Sequence, residues 1–331
     1  MTDRKLRWGV ISTANIGRVA VLPALQHSVN GDLVAVASRD AVKAESFAAK
    51  MGIPRNFGSY EALLDAEDID AVYIPLPNSL HREWAIKAAQ AGKHILCEKP
   101  LALSADECLE MAAAAEQHGV VLMEAFMYRF HPQTEKVLAL LKEGAIGQPR
   151  LIGSAFTFRL SNPDNIRFRP ELGGGSLMDV GCYCVNVSRT LAGAEPVEVQ
   201  AFANWNPTGV DNEMVGSLRF EDGLLAQFAC ALTLERREFY QIVGPEGCIE
   251  APSAFIPGAH DTTIHEHHGR QEPVVHSVPG IDEYQLMVEH FGRCVLEDQP
   301  VRYPPKEAAA NMRVIEALKR SARNEGRPER V

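Results

Sequence analysis

No apolar run in this chain approaches the roughly 20 residues that a membrane-spanning helix needs. The opening residues, Met1-Thr-Asp-Arg-Lys5, enter a strand-like run with no hydrophobic leader. Clusters of Lys and Arg are missing as well. With 33 basic against 43 acidic residues the formal charge is −10, which argues against nucleic acid or an anionic membrane as a partner. The seven cysteines include no C-x-x-C pair. An odd, scattered set reads as small buried hydrophobes in a reducing compartment rather than a disulfide framework. Internal repeats, low-complexity segments and long linkers are also lacking. The expectation is a soluble cytoplasmic protein, and 331 residues with 46% hydrophobic content allow two domains with sizeable cores.

Short β-rich runs alternate with helical ones over the first 125 residues. Strands are expected at Leu6–Ile11, Leu33–Ala37, Ala71–Ile74, His94–Cys97 and Val120–Met123. Between and after them, helices are expected at Asn15–Gln26, Ala41–Lys50, Leu80–Ala91 and Ala105–His118. This order implies right-handed crossovers and a parallel sheet covered on both faces. The pattern changes after His131-Pro132. A helix (Gln133–Lys142), a long strand near Arg150–Arg159 and a helix after Gly173-Gly174-Gly175 lead into a strand-rich stretch from Val197 to about Val278. Asp222-Gly223 and Pro245-Glu-Gly247 are its turn signals. Across Gly223–Leu234, Leu224, Ala226, Phe228, Cys230, Leu232 and Leu234 share one face, and Leu225, Gln227, Ala229, Ala231 and Thr233 the other. Helices near Glu283–Leu296 and Lys306–Arg323 complete the chain.

The turn after the first strand reads Gly9-Val-Ile-Ser12-Thr-Ala14-Asn-Ile-Gly17. Against the dinucleotide fingerprint G-x-G-x-x-G, Ser12 and Ala14 occupy the first two glycine positions and only Gly17 remains. Both are small enough for the tight turn and close backbone approach that pyrophosphate requires. The second strand ends Ala37-Ser38-Arg39-Asp40. An NAD site usually places a carboxylate at that strand end; a hydroxyl and a planar cation suit a 2′-phosphate instead. The alternative for Arg39 is a surface pair with Asp40.

Lys99, in His94-Ile-Leu-Cys-Glu-Lys-Pro100, follows a buried parallel strand at its C-terminal end, where doubly wound sheets bind ligands. Burial and charged neighbours can tune a lysine towards proton transfer near neutral pH. Asp179 and Tyr183 stand i, i+4 on an expected helix and so share a face. That helix follows three glycines, which are poor helix formers. A structural reading, an Asp favoured by the helix dipole and a core tyrosine, remains open on these residues alone. The run His265-Glu-His267-His268 suggests a metal, but no further ligands have familiar spacing, so no metal is assigned.

These motifs resemble the Gfo/Idh/MocA family of oxidoreductases. The matching features are the Ser12–Gly17 turn, Pro77-Asn78-Ser-Leu-His81, Ala91-Gly92-Lys93-His94, Glu98-Lys99-Pro100, Glu124-Ala-Phe-Met-Tyr-Arg-Phe-His131-Pro132 and Gly173-Gly-Gly-Ser-Leu-Met-Asp179-Val-Gly181-Cys-Tyr183. The Glu124–Pro132 segment is most similar to the subgroup of NADP-linked xylose dehydrogenases, glucose–fructose oxidoreductase and dihydrodiol dehydrogenases. Tyr183, where inositol dehydrogenases carry histidine, points away from inositol chemistry.

The resemblance implies a Rossmann-type doubly wound parallel sheet over residues 1–125. An α+β domain with a large open, mostly antiparallel sheet would follow over 126–331, its helix at about 306–323 packing back on the first domain. The implied cofactor is NADP(H), with NAD(H) as second choice. Ser12, Thr13, Ala14, Asn15 and Ile16 would hold it at the turn, and Ser38 and Arg39 at the second strand end. Further contacts would come from Pro77, Asn78 and His81, from Glu98 and Lys99, and from Arg167, with Arg169 competing for that last role. Asp179 becomes a substrate-hydroxyl acceptor and Tyr183 a proton-transfer partner, with Lys99 as the cation beside it or as the proton donor itself. A cis Lys99–Pro100 bond is also implied. The expected substrate is a sugar or polyol, with trans-dihydrodiol dehydrogenase and a non-catalytic NAD(P)-binding regulator as rival functions. Relatives associate through the second sheet, so a homodimer or homotetramer is expected.

Overall fold

The computed structural model describes residues 4–331. Its first sheet has six strands: β1 (Leu6–Ile11), β2 (Gly31–Ala37), β3 (Arg55–Phe57), β4 (Ala71–Ile74), β5 (His94–Glu98) and β6 (Leu122–Ala125), in the order β3-β2-β1-β4-β5-β6. All its pairings are parallel. Such a sheet must be covered on both faces, and the residues of β4 are accordingly buried throughout. The order reverses between β1 and β4, which places a ligand crevice at the C-terminal ends of those strands.

The helix after β1 departs from the regular one expected. Gly17–Val21 forms a wider π-helical turn, and a regular helix resumes at Leu22. Pro23 explains the change: in a regular helix its ring would meet the Val19 carbonyl. A short strand, β3, and the helix Tyr60–Leu64 are additions to the sequence reading.

Nine strands form the second sheet: β7 (Leu151–Arg159), β8 (Pro196–Trp205), β9 (Asp211–Phe220), β10 (Leu225–Ala231), β11 (Thr233–Val243), β12 (Cys248–Ala251), β13 (Thr262–His267), β14 (Val274–Val278) and β15 (Glu329–Arg330). Their order is β14-β13-β12-β11-β7-β10-β9-β8-β15, antiparallel except where β10 runs beside β7. Asp222-Gly223 closes the β9–β10 hairpin, with Gly223 at φ +88° and Asp222 accepting from the Leu224 N–H.

The alternation expected through Gly223–Leu234 fails after Cys230. Ala231 is buried and Leu234 is half exposed, the reverse of the expectation. The chain leaves β10 at Ala231, crosses over, and pairs as β11 with the opposite edge of β7. The apolar pattern runs on through that crossover, so periodicity alone could not reveal it.

Two compact units result: the chain up to Met127 with Asp282–Ala309, and Tyr128–Ile281 with Ala310–Val331. The sequence division at 125/126 lies close to the first boundary but misplaces the helix Glu283–Leu296. That helix packs in the first unit, where Phe291 lies 5.0 Å from the Trp8 ring and Asn30 donates to the Glu289 carbonyl. Most of Pro305–Arg323 belongs to the second unit, where Asn311 donates to the Cys182 carbonyl and Ser321 Oγ accepts from the Ala201 N–H. Among the described residues, no helix is long and apolar enough to cross a membrane.

Candidate active site

In the first unit, the candidate site residues cluster at the C-terminal ends of the parallel strands. Ser12 has φ +130°, a conformation that favours glycine and explains why fingerprints of this kind usually carry one there. Its N–H donates to the Ala37 carbonyl (3.1 Å), and the helix beyond makes its first internal bond from the Arg18 N–H to the Ala14 carbonyl. The amides of Asn15 and Ile16, which precede that bond, are open to a phosphate at the helix start. Thr13 and Ala14 are half-buried at the same turn.

Ser38 is buried and its Oγ accepts from the Asp40 N–H. The Asp40 carboxylate caps the next helix through the Lys43 N–H. Arg39 is exposed at the strand end. It also meets Tyr60, a residue the sequence did not single out. Burial raises the pKa of the Tyr60 hydroxyl, opposed by the charge and hydrogen bond of Arg39 and by a hydrogen bond with Ser12. Tyr60 thereby ties Arg39 to the nucleotide turn. A phosphate-sized anion fits this donor set, and no carboxylate from the second strand end competes for it.

Lys99 is half-buried just beyond β5 and its bond to Pro100 is cis. The backbone around it is held from three sides. Glu98 accepts from Tyr73 Oη (2.6 Å) and from the Lys99 N–H. Glu124 accepts from the Leu101 N–H at 2.8 Å. His81 lies with Nδ1 3.0 Å from the Pro100 carbonyl and Nε2 2.8 Å from that of Leu76. His81 is fully enclosed, and burial pushes its pKa down against the pull of those carbonyls. Both ring nitrogens are used in fixing the loop that carries Lys99. Pro77 and Asn78 open the turn before His81 and are half-buried.

In the second unit, Leu177–Gly181 forms a π-helical turn that runs into the helix Cys182–Ala192. Asp179 and Tyr183 thus lie about one turn apart. The Asp179 carboxylate accepts from Arg167 Nε at 2.6 Å. Arg169 instead lies 3.6 Å from the exposed Asp164. The glycine run makes the Arg167–Asp179 pairing possible. Gly174 and Gly175 donate to the carbonyls of Arg169 and Arg167, and a Cβ on Gly174 would collide with the Arg167 carbonyl. Tyr183 is buried among the rings of Tyr128, Phe156 and Phe255, with centroids 5.3–5.8 Å away.

The histidine run serves the hairpin it lies on. His268 and His276 each place Nε2 2.7 Å from a Glu266 carboxylate oxygen, and Thr263 meets His265. Among the described residues, no group of His, Cys, Asp and Glu could hold a metal ion.

Residues 6–126 match the oxidoreductase family with an NAD-binding Rossmann fold, and residues 134–250 match the GFO/IDH/MocA C-terminal domain. The chain is 40% identical over 320 residues to D-xylose 1-dehydrogenase (NADP(+)) 2 of Haloferax volcanii, covering 96% of this chain and 97% of that one. It is 37% identical over 253 residues to trans-1,2-dihydrobenzene-1,2-diol dehydrogenase of Xenopus tropicalis, covering 75% of each. Among solved structures, a 3-ketoreductase from Actinomadura kijaniata in complex with NADP and TDP-benzene superposes with a TM-score of 0.92 at 30% identity, covering 96% of this chain and 98% of that one. That enzyme has also been solved as variants of one tyrosine and of one lysine. Matched in both halves and in the same order, this chain belongs to the Gfo/Idh/MocA family of oxidoreductases.

Proposed function

We propose that this protein is an NADP(H)-dependent oxidoreductase that interconverts alcohol and carbonyl groups on a sugar or polyol, oxidising an aldose to its lactone or reducing a carbonyl sugar. The observation that carries this reading is the pairing of Asp179 and Tyr183 about one turn apart, with the carboxylate gripped by Arg167 at 2.6 Å. Held in that way, Asp179 is a fixed acceptor for a substrate hydroxyl. When bound, the nicotinamide supplies or takes up the hydride. The protein's part is the proton. Tyr183 or Lys99 exchanges it with the substrate oxygen, a proton transfer worth about a hundredfold or more in rate. In the related 3-ketoreductase, the varied lysine and tyrosine have the same sequence spacing as Lys99 and Tyr183. The exposed Arg39, tied to Ser12 through Tyr60, would bind the 2′-phosphate.

A screen of aldoses, polyols and trans-dihydrodiols by NADPH absorbance tests the reading. Turnover with an aldose or polyol supports it. Turnover with dihydrodiols alone would favour the diol activity of the vertebrate relative, and cofactor binding without any turnover would mark a regulator. Free cysteines throughout suit a reducing cytoplasm. We further place self-association on the open face of the second sheet. Phe202, Val215 and Leu225 are about half exposed there, beside a shallow concavity lined by Gln227, Phe239 and Gln241. An apolar face of this kind is commonly hidden by a second copy. Light scattering that gave only 36.3 kDa, the mass of one chain, would refute this.

A further inference from the structure

Asp211, the first residue of β9, is buried at 2% exposure and has no part in the roles assigned above. Its Oδ2 accepts from Ser176 Oγ at 2.7 Å and from the Leu177 N–H at 2.6 Å. Those two residues open the π-helical turn that carries Asp179 and leads to Tyr183. Helix starts leave N–H groups without internal partners, and a short polar side chain at the N-cap commonly takes one of them. Here Ser176 is turned instead towards a carboxylate from a strand more than thirty residues further along the chain. Negative charge is favoured at that end of a helix.

The same carboxylate bears on the other support of the site. Gly175, at φ +117°, passes so close that a Cβ there would collide with Asp211 Oδ1. The Gly175 N–H donates to the Arg167 carbonyl at 2.9 Å, and the Arg167 side chain grips Asp179. Asp211 thus abuts both the start of the helix and the loop that delivers Arg167. Burial raises its pKa, opposed by the bonds from Ser176 and Leu177 and by the charge of Lys319 on the C-terminal helix. An acid held there against its desolvation cost, beside a glycine that must remain glycine, is more than a generic helix cap requires.

We propose that Asp211 is a positioning residue for the reaction: by anchoring Ser176 and Leu177 and fitting against Gly175, it sets the places of Asp179 and Tyr183. The inference rests on the reading of those two as reacting groups, so its test has a readout that does not depend on turnover. Asp211→Ala removes the acceptor, whereas Asp211→Asn keeps one for the Leu177 N–H. In the full-length protein, Asp211→Ala should lower kcat about a hundredfold, the size expected when reacting groups move by about an ångström. The KM for NADP should stay unchanged, and Asp211→Asn should recover most of the loss. Hydrogen exchange over residues 177–183 should speed up in the Ala variant and return towards the wild-type rate in Asn. Should Asp211→Ala fail to fold, Ser176→Ala carries the test, with a several-fold fall in kcat and faster exchange over the same residues. Folded Asp211→Ala (or, in its place, Ser176→Ala) with wild-type kcat would overturn the proposal. If the wild-type protein turns over no substrate, the functional reading fails on its own account and exchange judges the anchor: equal rates in wild type and variants overturn it, and faster exchange confined to 177–183 upholds it.

Discussion

The two sheets of this molecule put their residues to opposite uses. In the first, the parallel strands β1, β4, β5 and β6 bury nearly all their side chains, as β4 does over its whole length, so chemistry is left to the strand ends. Ser12, Ser38, Arg39 and Lys99 all lie at such ends. In the second, β10 alternates, with Ala226, Phe228 and Cys230 buried and Leu225 half exposed. One face supports the helix of Asp179 and Tyr183: a Cβ on Gly181 would press on Cys230 Sγ. The other face is left open. A two-sided core makes its end loops functional, and a one-sided sheet serves as a platform.

The contrast between the faces of β10 is the easiest part to break. Phe228→Ala should cost about 3–5 kcal/mol in urea unfolding, as for other buried aromatics. Leu225→Ala should fall within about 0.5 kcal/mol if its face meets water; a cost that grows with protein concentration would instead reveal a covering copy. Equal, large, concentration-independent costs would mean that the second sheet is two-sided after all. At the strand ends of the first sheet, Arg39→Ala should weaken NADP binding by about 1.5–3 kcal/mol and leave NAD affinity unchanged, read by fluorescence titration. An equal loss for both cofactors would remove the 2′-phosphate from the account.

A third prediction concerns the residue just before β4. Burial works to raise the Asp70 pKa, but the side-chain and backbone bonds from Arg7 outweigh it and hold the carboxyl at about 2. The folded-state value is depressed, so its stabilisation is fully present above the unfolded value near 4 and is lost as pH falls through about 2. Asp70→Asn should therefore cost about 2 kcal/mol at neutral pH, with the difference closing towards pH 2. A constant difference across that window would assign the effect to packing instead.

Much of the first sheet was legible because its signals are local. Apolar runs, the Ser12–Gly17 turn and the end of β5 each lie within a few residues, and Gly173–Tyr183 is likewise a contiguous motif. What escaped was carried by partners distant in sequence. Nothing in Glu283–Leu296 announces that Phe291 meets Trp8, and no pattern marks the crossover at Leu232. His81 stands in a local motif, but its bonds to the carbonyls of Pro100 and Leu76 appear only in the fold. Tyr60 and Asp211 belong to no motif; only folding brings them to Arg39 and to the start of the Asp179 helix.

The central claim, that the strand-end lysine serves the chemistry rather than the fold, is tested most directly by Lys99→Ala. Its kcat with an aldose or polyol, measured with its Kd for NADP, should fall about a hundredfold or more while the Kd stays at the wild-type value. Near-normal turnover would contradict the account and remove Lys99 from the reaction.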